Sequence, residues 1–509
     1  MTMKSLVCNF DALDAAEPYD VCVIGAGLAG SVLGLRLVRA GLRVLMIDAA
    51  PLRELGAPRP RRCEVGGDAR YSAACAKPWD GACERLERSD LRAHPYDDRS
   101  NPWPIGYADL EPHYRTAEQL LRVRGPSSRP SRSLPGRERR RGERKLETLI
   151  RQRGMEVRGV ALATPGRGRR FLPIRELLPE LVVARAGTLA TGVTATRLST
   201  DGNGRVVGAL CRAPDGTGKT ARAKSYVIAA GAIETARLLL LSRSQRCPLG
   251  LGNERDRVGR GFADQAVVTA YGRLPRAAGW PTRSLPLHSE EFHRLFRREG
   301  LGSIHPFVRS IGPLEDARRL DAGVLGRLAA VLAAWRRLSL AVSCRVEILP
   351  AETNRIGLSL AARDAFGDPI ARVDFNYSQE DLRLIAKVRA WLDRWLDRFG
   401  ALETTQGEID WADTPTGTCR MGSDPRTSVC DPNLRVHTTP NLYICGGAAL
   451  PRGGALPTAL TVAALASRLA DHIAARARWC ARSSTRPQRT AEARTVAAPI
   501  PLVRRRPQP

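Results

Sequence analysis

The chain has 509 residues, 43% of them hydrophobic. That is enough for a sizeable core and more than one domain, so composition excludes a wholly disordered protein. A formal charge of +28 invites phosphate-bearing partners. The basic residues are nearly all scattered arginines, however, with lysine only at Lys4, Lys77, Lys145, Lys219, Lys224 and Lys387. No zinc-finger spacing, aromatic RNA-binding motif or basic heptad accompanies them, so no specific nucleic-acid partner is expected. Twelve cysteines occur without a CxxC or a Cys/His cluster. This argues against a disulfide scaffold and a metal centre, and for a reducing, cytoplasmic setting. The N-terminal apolar run is too short for a signal peptide. The most apolar later stretch, residues 325–344, is broken by Arg336 and Arg337, so no membrane span is expected.

In chain order, the first organised stretch is YDVCVIGAGLAGSVLGLRLVRAGLRVLMIDAA, residues 19–50. A short apolar run predicts a strand, the spacing of Val32, Leu35, Leu37 and Val38 predicts a helix, and RVLMID predicts a second strand ending at Asp48. The turn between strand and helix reads G-x-G-x-x-G. Gly25 permits the tight turn, Gly27 lets backbone approach a pyrophosphate, and Gly30 allows close helix–strand packing. The helix N-terminus then faces the phosphates, and Asp48 is placed to accept hydrogen bonds from a ribose. The unit predicts dinucleotide binding without deciding between NAD and FAD. Its position at the start of the chain, with pieces of the same domain returning later, favours FAD.

Residues 129–145 are rich in Pro and Arg and predict a solvated loop. SYVIAAGAIETARLLLLS, residues 225–242, predicts a strand, a turn at Gly231 and a helix. Between residues 264 and 400 the character changes to strand-like runs (RVEILP, RIGLSL, IARVDFNY) and a helix over 379–399. This predicts an antiparallel sheet with helices. The last organised piece, residues 440–473, has a strand ending at Gly446 and Gly447 and a helix from about Pro457. Beyond about Cys480 the chain is basic and Pro-rich, and the expectation is disorder.

These segments, with PWPIGYADLEPHYRTAEQLLRVRG (102–125), VGRGFADQ (258–265), GTCRMGSDPRTSVCDPNLRVHTTPNLYICGG (417–447) and LPTALTVAALASRLADHI (456–473), resemble the glucose–methanol–choline (GMC) oxidoreductases. The resemblance implies an α/β fold: an FAD-binding Rossmann-like domain with an inserted α+β substrate domain containing an antiparallel sheet. The expected domains are 18–263 for FAD binding, with a loop-rich insertion about 60–145, then 264–404 for substrate. Residues 405–478 return to the FAD domain and 479–509 form a basic tail. The resemblance also implies that Gly446, Gly447, Pro457, Thr458 and Ala459 present backbone to the flavin and its phosphates, and that Ala195 lies near the adenine. Cys419 and Arg420 read as supports of the flavin domain.

Three positions depart from the family pattern. Asp80, in WDGAC, stands where the family has a glycine. Thr414 stands where it has histidine, and Leu456 where it has asparagine. No histidine precedes Trp79, so FAD is expected to be held non-covalently. Oxidising an alcohol requires hydride loss from carbon and proton loss from the hydroxyl. Imidazole titrates near neutrality and serves the second task. Thr414 can position an alcohol but cannot take its proton, and Leu456 offers nothing polar. Asp413 is the nearest candidate acceptor, with a turn-capping acid as its bland reading. His288, His293 and His305 could reach over the flavin or simply pack, whereas His437 and His472 read as structural.

The resemblance implies an FAD-dependent oxidoreductase dehydrogenating a CH–OH group of a small sugar-like or other polyhydroxylated substrate, with an unidentified electron acceptor. The alternative is a flavin-binding enzyme or pseudo-enzyme whose rebuilt site catalyses another reaction. Truncation after about Arg478 is expected to leave folding and flavin content unchanged. Loss of soluble protein in an expression test would show that the tail docks on the body.

Overall fold

The computed structural model describes residues 17–51, 63–67, 79–92, 102–125, 141–165, 186–275, 286–311 and 337–484, together with Phe10, Leu13, Glu176, Leu177 and Glu180. The chain opens with β1 (Tyr19–Ile24), α1 (Leu28–Arg39) and β2 (Val44–Asp48), the strand–helix–strand unit read from the sequence. Next come β3 (Cys63–Gly67), α2 (Tyr107–Leu120), α3 (Arg141–Gln152) and β4 (Arg158–Gly159). Strands β5 (Gly187–Thr191), β6 (Thr194–Thr200), β7 (Val206–Arg212), β8 (Gly218–Ala221) and β9 (Ala223–Ile228) lead into α4 (Gly231–Leu241). The next stretch holds β10 (Gln265–Pro275), β11 (Leu287–His288), β12 (Ile304–Ile311), β13 (Arg337–Glu347), β14 (Arg355–Arg363) and β15 (Pro369–Phe375). After it come α5 (Gln379–Phe399), β16 (Glu403–Gln406), β17 (Asp410–Trp411), β18 (Leu442–Ile444) and α6 (Ala459–Ser484).

Five strands form a parallel sheet in the order β18-β9-β1-β2-β5. Strands from widely separated parts of the chain meet here because each is apolar on both faces: Val21, Cys22, Val23 and Ile24 are buried, as are Val44 to Ile47 and Tyr226 to Ile228. Helices α1 and α6 pack against each other, so their first turns lie together beyond the carboxyl ends of the strands.

The second large sheet runs β16-β10-β13-β12-β11-β4, with β17 also paired to β10. It is antiparallel, as the sequence predicts. One face packs on α5, whose Leu384, Ile385, Val388, Trp391, Leu392, Trp395, Leu396 and Phe399 form its apolar stripe. Both ends of α5 are legible locally. Ser378 Oγ accepts the Asp381 N–H at 3.1 Å, Asp381 accepts the Ser378 N–H at 2.9 Å, and Gly400 closes the helix with a φ of 79°. Two small sheets, β14-β15-β3 and β6-β7-β8, complete the body. Strand β4 from the first half of the chain joins the large sheet, and β15 pairs on one side with its neighbour β14 and on the other with the distant β3.

Two local expectations, a loop over 129–145 and the end of the last helix, need correction. The segment 129–145 is not loop throughout, because α3 begins at Arg141; its Leu146 and Ile150 find a core to bury in. The apolar stretch 325–344 becomes a strand from Arg337, while residues 325–336 lie outside the described residues. No helix among the described residues is long and apolar enough to cross a membrane. Helix α6 continues to Ser484 instead of stopping near 478, so a tail truncation belongs after Ser484; residues 485–509 lie outside the described residues.

A buried ion pair ties the loop after β18 to the end of β13. Arg452 donates from Nε and Nη2 to Glu347 Oε1 at 2.9 and 2.7 Å, and both side chains are 2% exposed. Ser303 donates its N–H and hydroxyl to Glu347 Oε2 at 2.9 and 2.7 Å. Burial pushes this carboxyl up, but Arg452 and the Ser303 donors outweigh it and hold the group at about 2. The stabilisation is therefore present above the ordinary carboxyl value of 4.5 and is lost as pH falls toward about 2. Glu347→Gln should cost about 3–5 kcal/mol, because it leaves Arg452 buried without its countercharge. An unchanged denaturation midpoint at neutral pH would remove this pair from the forces that hold the loop to the strand.

Candidate active site

The glycine loop lies at the carboxyl end of β1. Gly25 has a φ of 104°, and a Cβ there would meet Ala229 O at 2.5 Å; a Cβ on Gly30 would meet Gly25 O at 1.9 Å. At Gly27 a Cβ would meet nothing within 4 Å. Two glycines thus press the turn against its own backbone, while the third leaves open space on the outer side. Gly27 caps α1 without a side-chain hydrogen bond, so the first N–H groups of the helix face that space. Asp48 uses Oδ2 to accept Ala26 N–H at 2.8 Å and Oδ1 to accept Ala50 N–H at 2.7 Å. It braces the loop, and a carboxylate retains acceptor capacity for a ribose beyond these two bonds.

Gly446, just beyond β18, has a φ of 122°, and a Cβ there would meet the Ala29 side chain at 3.7 Å. The chain then turns through Gly447 and reaches Pro457, Thr458 and Ala459 at the start of α6, so these expected cofactor residues line the same end of the sheet as the glycine loop. Gly192 and Val193 donate to Ala50 O and Asp48 O at 2.8 and 3.0 Å, which sets Ala195 beside the end of β2. Open space at Gly27, an uncapped helix start and a bracing acid are features that a dinucleotide diphosphate requires. The cradle fits FAD.

The departures from the family pattern meet around one residue that sequence reading did not single out. Gln265, 3% exposed at the start of β10, donates from Nε2 to Gly454 O at 2.8 Å and to Leu456 O at 2.7 Å. Its Oε1 lies 3.4 Å from the Thr414 hydroxyl and accepts from Arg345 Nη1 at 3.3 Å. Two carbonyls on one side and a guanidinium on the other fix which end of the amide is nitrogen. Arg345 Nη2 continues to Asp80 Oδ2 at 3.3 Å. Asp80, Thr414 and Leu456 therefore belong to one hydrogen-bonded chain, the last through its backbone.

Asp264 anchors the same loop. Its Oδ1 accepts the Thr414 N–H at 2.9 Å, the Thr414 hydroxyl at 3.1 Å and the Gln265 N–H at 2.7 Å. Gly447 lies under this loop, where a Cβ would meet Pro415 O at 2.4 Å, so Thr414 sits directly on the cofactor cradle. Asp413 occupies the turn before it with a φ of 61° and is half-buried. Leu456 is 2% exposed.

Strand register places more polar groups on the sheet face turned away from α5. Arg345 stands opposite Val267 and His305, Ser343 opposite Thr269 and Phe307, and His288 opposite Phe307. Val267, Thr269, Tyr271, Arg345 and Phe307 on this face are only half-buried, in contrast to the alternate positions. A signal for Arg345 existed: a lone arginine inside the apolar run AVSCRVEILP. Gln265 and Asp264 had only the weaker signal of two polar residues where a strand begins.

The remaining histidines separate by environment. His293 Nε2 lies 2.9 Å from Asp90 Oδ1; burial lowers its pKa, but Asp90 outweighs this and raises it overall. His437 Nε2 bonds Ser428 Oγ at 2.9 Å, and His472 packs on Tyr443. Arg420 pairs with Glu352 and donates Nε to Thr427 O, a support role as the sequence suggests. Glu84, His288 and Glu290 bring ligand-type atoms within 4.8 Å of one another. Arg158 pairs with Glu290 and places Nε 3.3 Å from His288 Nε2, so a cation already sits in this cluster.

Family models described as GMC oxidoreductase match residues 94–267 and 350–466. Paromamine 6'-oxidase of Streptomyces fradiae is 30% identical, the alignment covering 92% of this chain and 93% of that one. The fructose dehydrogenase large subunit of Gluconobacter japonicus is 26% identical over 89% and 97% of the two chains. Among solved structures, pyridoxine 4-oxidase of Mesorbium loti superposes with a TM-score of 0.64 at 18% identity, covering 89% of this chain and 99% of its own.

Two outcomes test the cradle. Acid precipitation should release all flavin absorbance into the supernatant, and absorbance left in the pellet would contradict non-covalent binding. Gly30→Ala should yield protein without bound flavin, since its methyl would displace the Gly25 carbonyl at a cost of about 1–3 kcal/mol; a variant with full flavin content would overturn this reading of the loop.

Proposed function

The chain belongs to the glucose–methanol–choline oxidoreductase family, and on that premise we propose that it dehydrogenates a CH–OH group of a sugar-like or otherwise polyhydroxylated metabolite. As a member it is an FAD-dependent oxidoreductase acting on alcohol groups. FAD supplies the hydride acceptor; residues of Gly25–Gly30, Gly446–Gly447 and Pro457–Ala459 would hold it. The names of two relatives, an oxidase of paromamine and a dehydrogenase of fructose, support a substrate with several hydroxyls.

The observation that carries the reading is the convergence of all three departures on the Asp80–Arg345–Gln265 chain. Thr414 gives its proton to Asp264 or Gln265, so its oxygen lone pairs are what it offers to a substrate hydroxyl. Arg345, on the half-open face, presents a fixed fork of donors suited to neighbouring hydroxyl oxygens. Leu456 puts an apolar side chain where the family has an amide and keeps water from that side of the reacting carbon. A site whose buried donors are matched to hydroxyls rejects analogues lacking them, because those donors would stay unpaired.

Two groups remain to take the hydroxyl proton. Asp413, the sequence's candidate, adjoins Thr414, and His305 stands beside Arg345 on the sheet face.

Anaerobic stopped-flow reduction against a panel of sugars, aminosugars, polyols and simple alcohols tests the substrate class, and no reduction by any hydroxylated compound would overturn it. The family pair, Thr414→His with Leu456→Asn, should slow the native reaction at least tenfold, because imidazole displaces the Gln265 and Asp264 contacts. Acceleration would mean an ordinary site that merely lost its base. Asp413→Asn should leave the rate within about tenfold; a loss of about a hundredfold or more would make Asp413 the acceptor.

A further inference from the structure

We propose that His305, His288 and Glu84 form a buried proton relay that removes the substrate hydroxyl proton, replacing the imidazole absent at position 414. The inference rests on the dehydrogenase reading above. Its geometry is a continuous chain of proton-carrying atoms. His288 Nδ1 lies 2.8 Å from His305 Nε2, with the rings near perpendicular at 84°. His288 Nε2 lies 3.5 Å from Glu84 Oε1. All three are buried: His288 is 0% exposed, His305 2% and Glu84 4%. At the far end, His305 Nδ1 has no hydrogen-bond partner among the described residues. Its ring belongs to the sheet face that carries Arg345, directly opposite in register, and Arg345 in turn reaches Gln265 and Asp80.

Two imidazoles sharing one N–H···N bond have two neutral arrangements. In the first, His288 Nδ1–H donates to His305 Nε2, His288 Nε2 accepts from Arg158 Nε, and the second ring carries its proton on Nδ1. In the second, His305 Nδ1 is bare, its Nε2–H donates to His288 Nδ1, and His288 Nε2–H donates to the Glu84 carboxylate. Arg158 then keeps only its pairing with Glu290 among these contacts.

The substrate O–H bond breaks and its proton bonds to bare His305 Nδ1. The proton on His305 Nε2 passes to His288 Nδ1, and the proton on His288 Nε2 passes to Glu84 Oε1. Each ring gains one proton and loses one, Glu84 becomes the neutral acid, and the pair ends in the first arrangement. Together with the hydride lost from the same carbon, this proton completes oxidation of CH–OH to a carbonyl.

The electrostatics suit a relay better than a resting cation. Burial first, then the charges of His288 and Arg345, hold His305 well below the ordinary imidazole value, so the ring passes a proton on instead of keeping it. Burial pushes Glu84 up to about 7, although the Ala161 N–H at 2.9 Å and Arg158 favour its charge and Glu118 on α2 opposes it. Those groups face Glu84 together with His288 and with Glu290, whose carboxylate lies within 4.8 Å of it. The terminal acceptor must start as carboxylate, so activity should rise with pH through about 7 and fall below it.

The experiment uses the full-length holoenzyme and Glu84→Gln, which retains an oxygen for the Ala161 N–H but cannot take a proton. In histidine-labelled protein, nitrogen NMR between about pH 5.5 and 8.5 should show the His305 proton moving from Nδ1 to Nε2 as Glu84 ionises, and no such switch in Glu84→Gln. Kinetically, Glu84→Gln should lower kcat about a hundredfold, leave KM unchanged and abolish the acidic limb of kcat/KM. Asp413→Asn should keep that limb. A single His305 tautomer throughout the range in the wild type overturns the relay even if the variant does not fold. So does a variant that keeps the acidic limb. A Glu84-dependent switch supports the relay even if no polyol reduces the flavin, in which case it is the substrate reading that fails.

Discussion

The side-chain amide of Gln265 ties together three parts of the protein that meet at the site. It has four partners: two backbone carbonyls of the 454–456 loop, the Thr414 hydroxyl and the Arg345 guanidinium. At 3% exposure each unmade bond would cost about 1–3 kcal/mol, which is why the amide sits in one orientation. The residue is also the first of β10, where the chain leaves the cofactor body and enters the antiparallel sheet. One buried amide thus sets the height of the sheet over the cradle and the place of Thr414 within it.

The sheet's two faces divide the work. Toward α5 the residues are apolar, and burial of that face anchors the sheet. The opposite face carries Arg345, Ser343, Thr269, His305 and His288, and it keeps them in register through the strand ladder rather than through flexible loops. Thr269 and Ser343 even bond one another at 2.9 Å. Groups held by strands cost little reorganisation when a polar substrate arrives, which is the condition for electrostatic help to count in catalysis. The Arg452–Glu347 pair performs the same fixing at the end of β13, with both charges buried and both carboxylate oxygens occupied.

Much of this was legible locally. The glycine fingerprint, the two strands around it and the limits of α5 follow from periodicity and capping, because their determinants lie within a few residues of each other. Helix α3 was missed in part because its Arg-rich exposed side hides a short apolar stripe, Leu146 and Ile150, that only a neighbouring core makes useful. The extension of α6 to Ser484 was missed because the residues after 478 lack an apolar stripe of their own. Asp80, Thr414 and Leu456 were visible as departures from a family pattern, but only singly. What joins them is Gln265, 149 positions from Thr414 and 191 from Leu456.

The sequence by itself determined the dinucleotide cradle and the division into a parallel and an antiparallel part. Backbone geometry at glycines and side-chain alternation along strands are short-range constraints. Only the tertiary structure decided what the substituted positions mean. Thr414, Leu456 and Asp80 acquire a joint role through hydrogen bonds to strands of the antiparallel sheet. Glu84, His288 and His305 become neighbours only when β11 and β12 fold over the segment after Trp79. Hydrogen bonds act over about 3 Å in space with no regard to distance along the chain, so no reading of local pattern can place them.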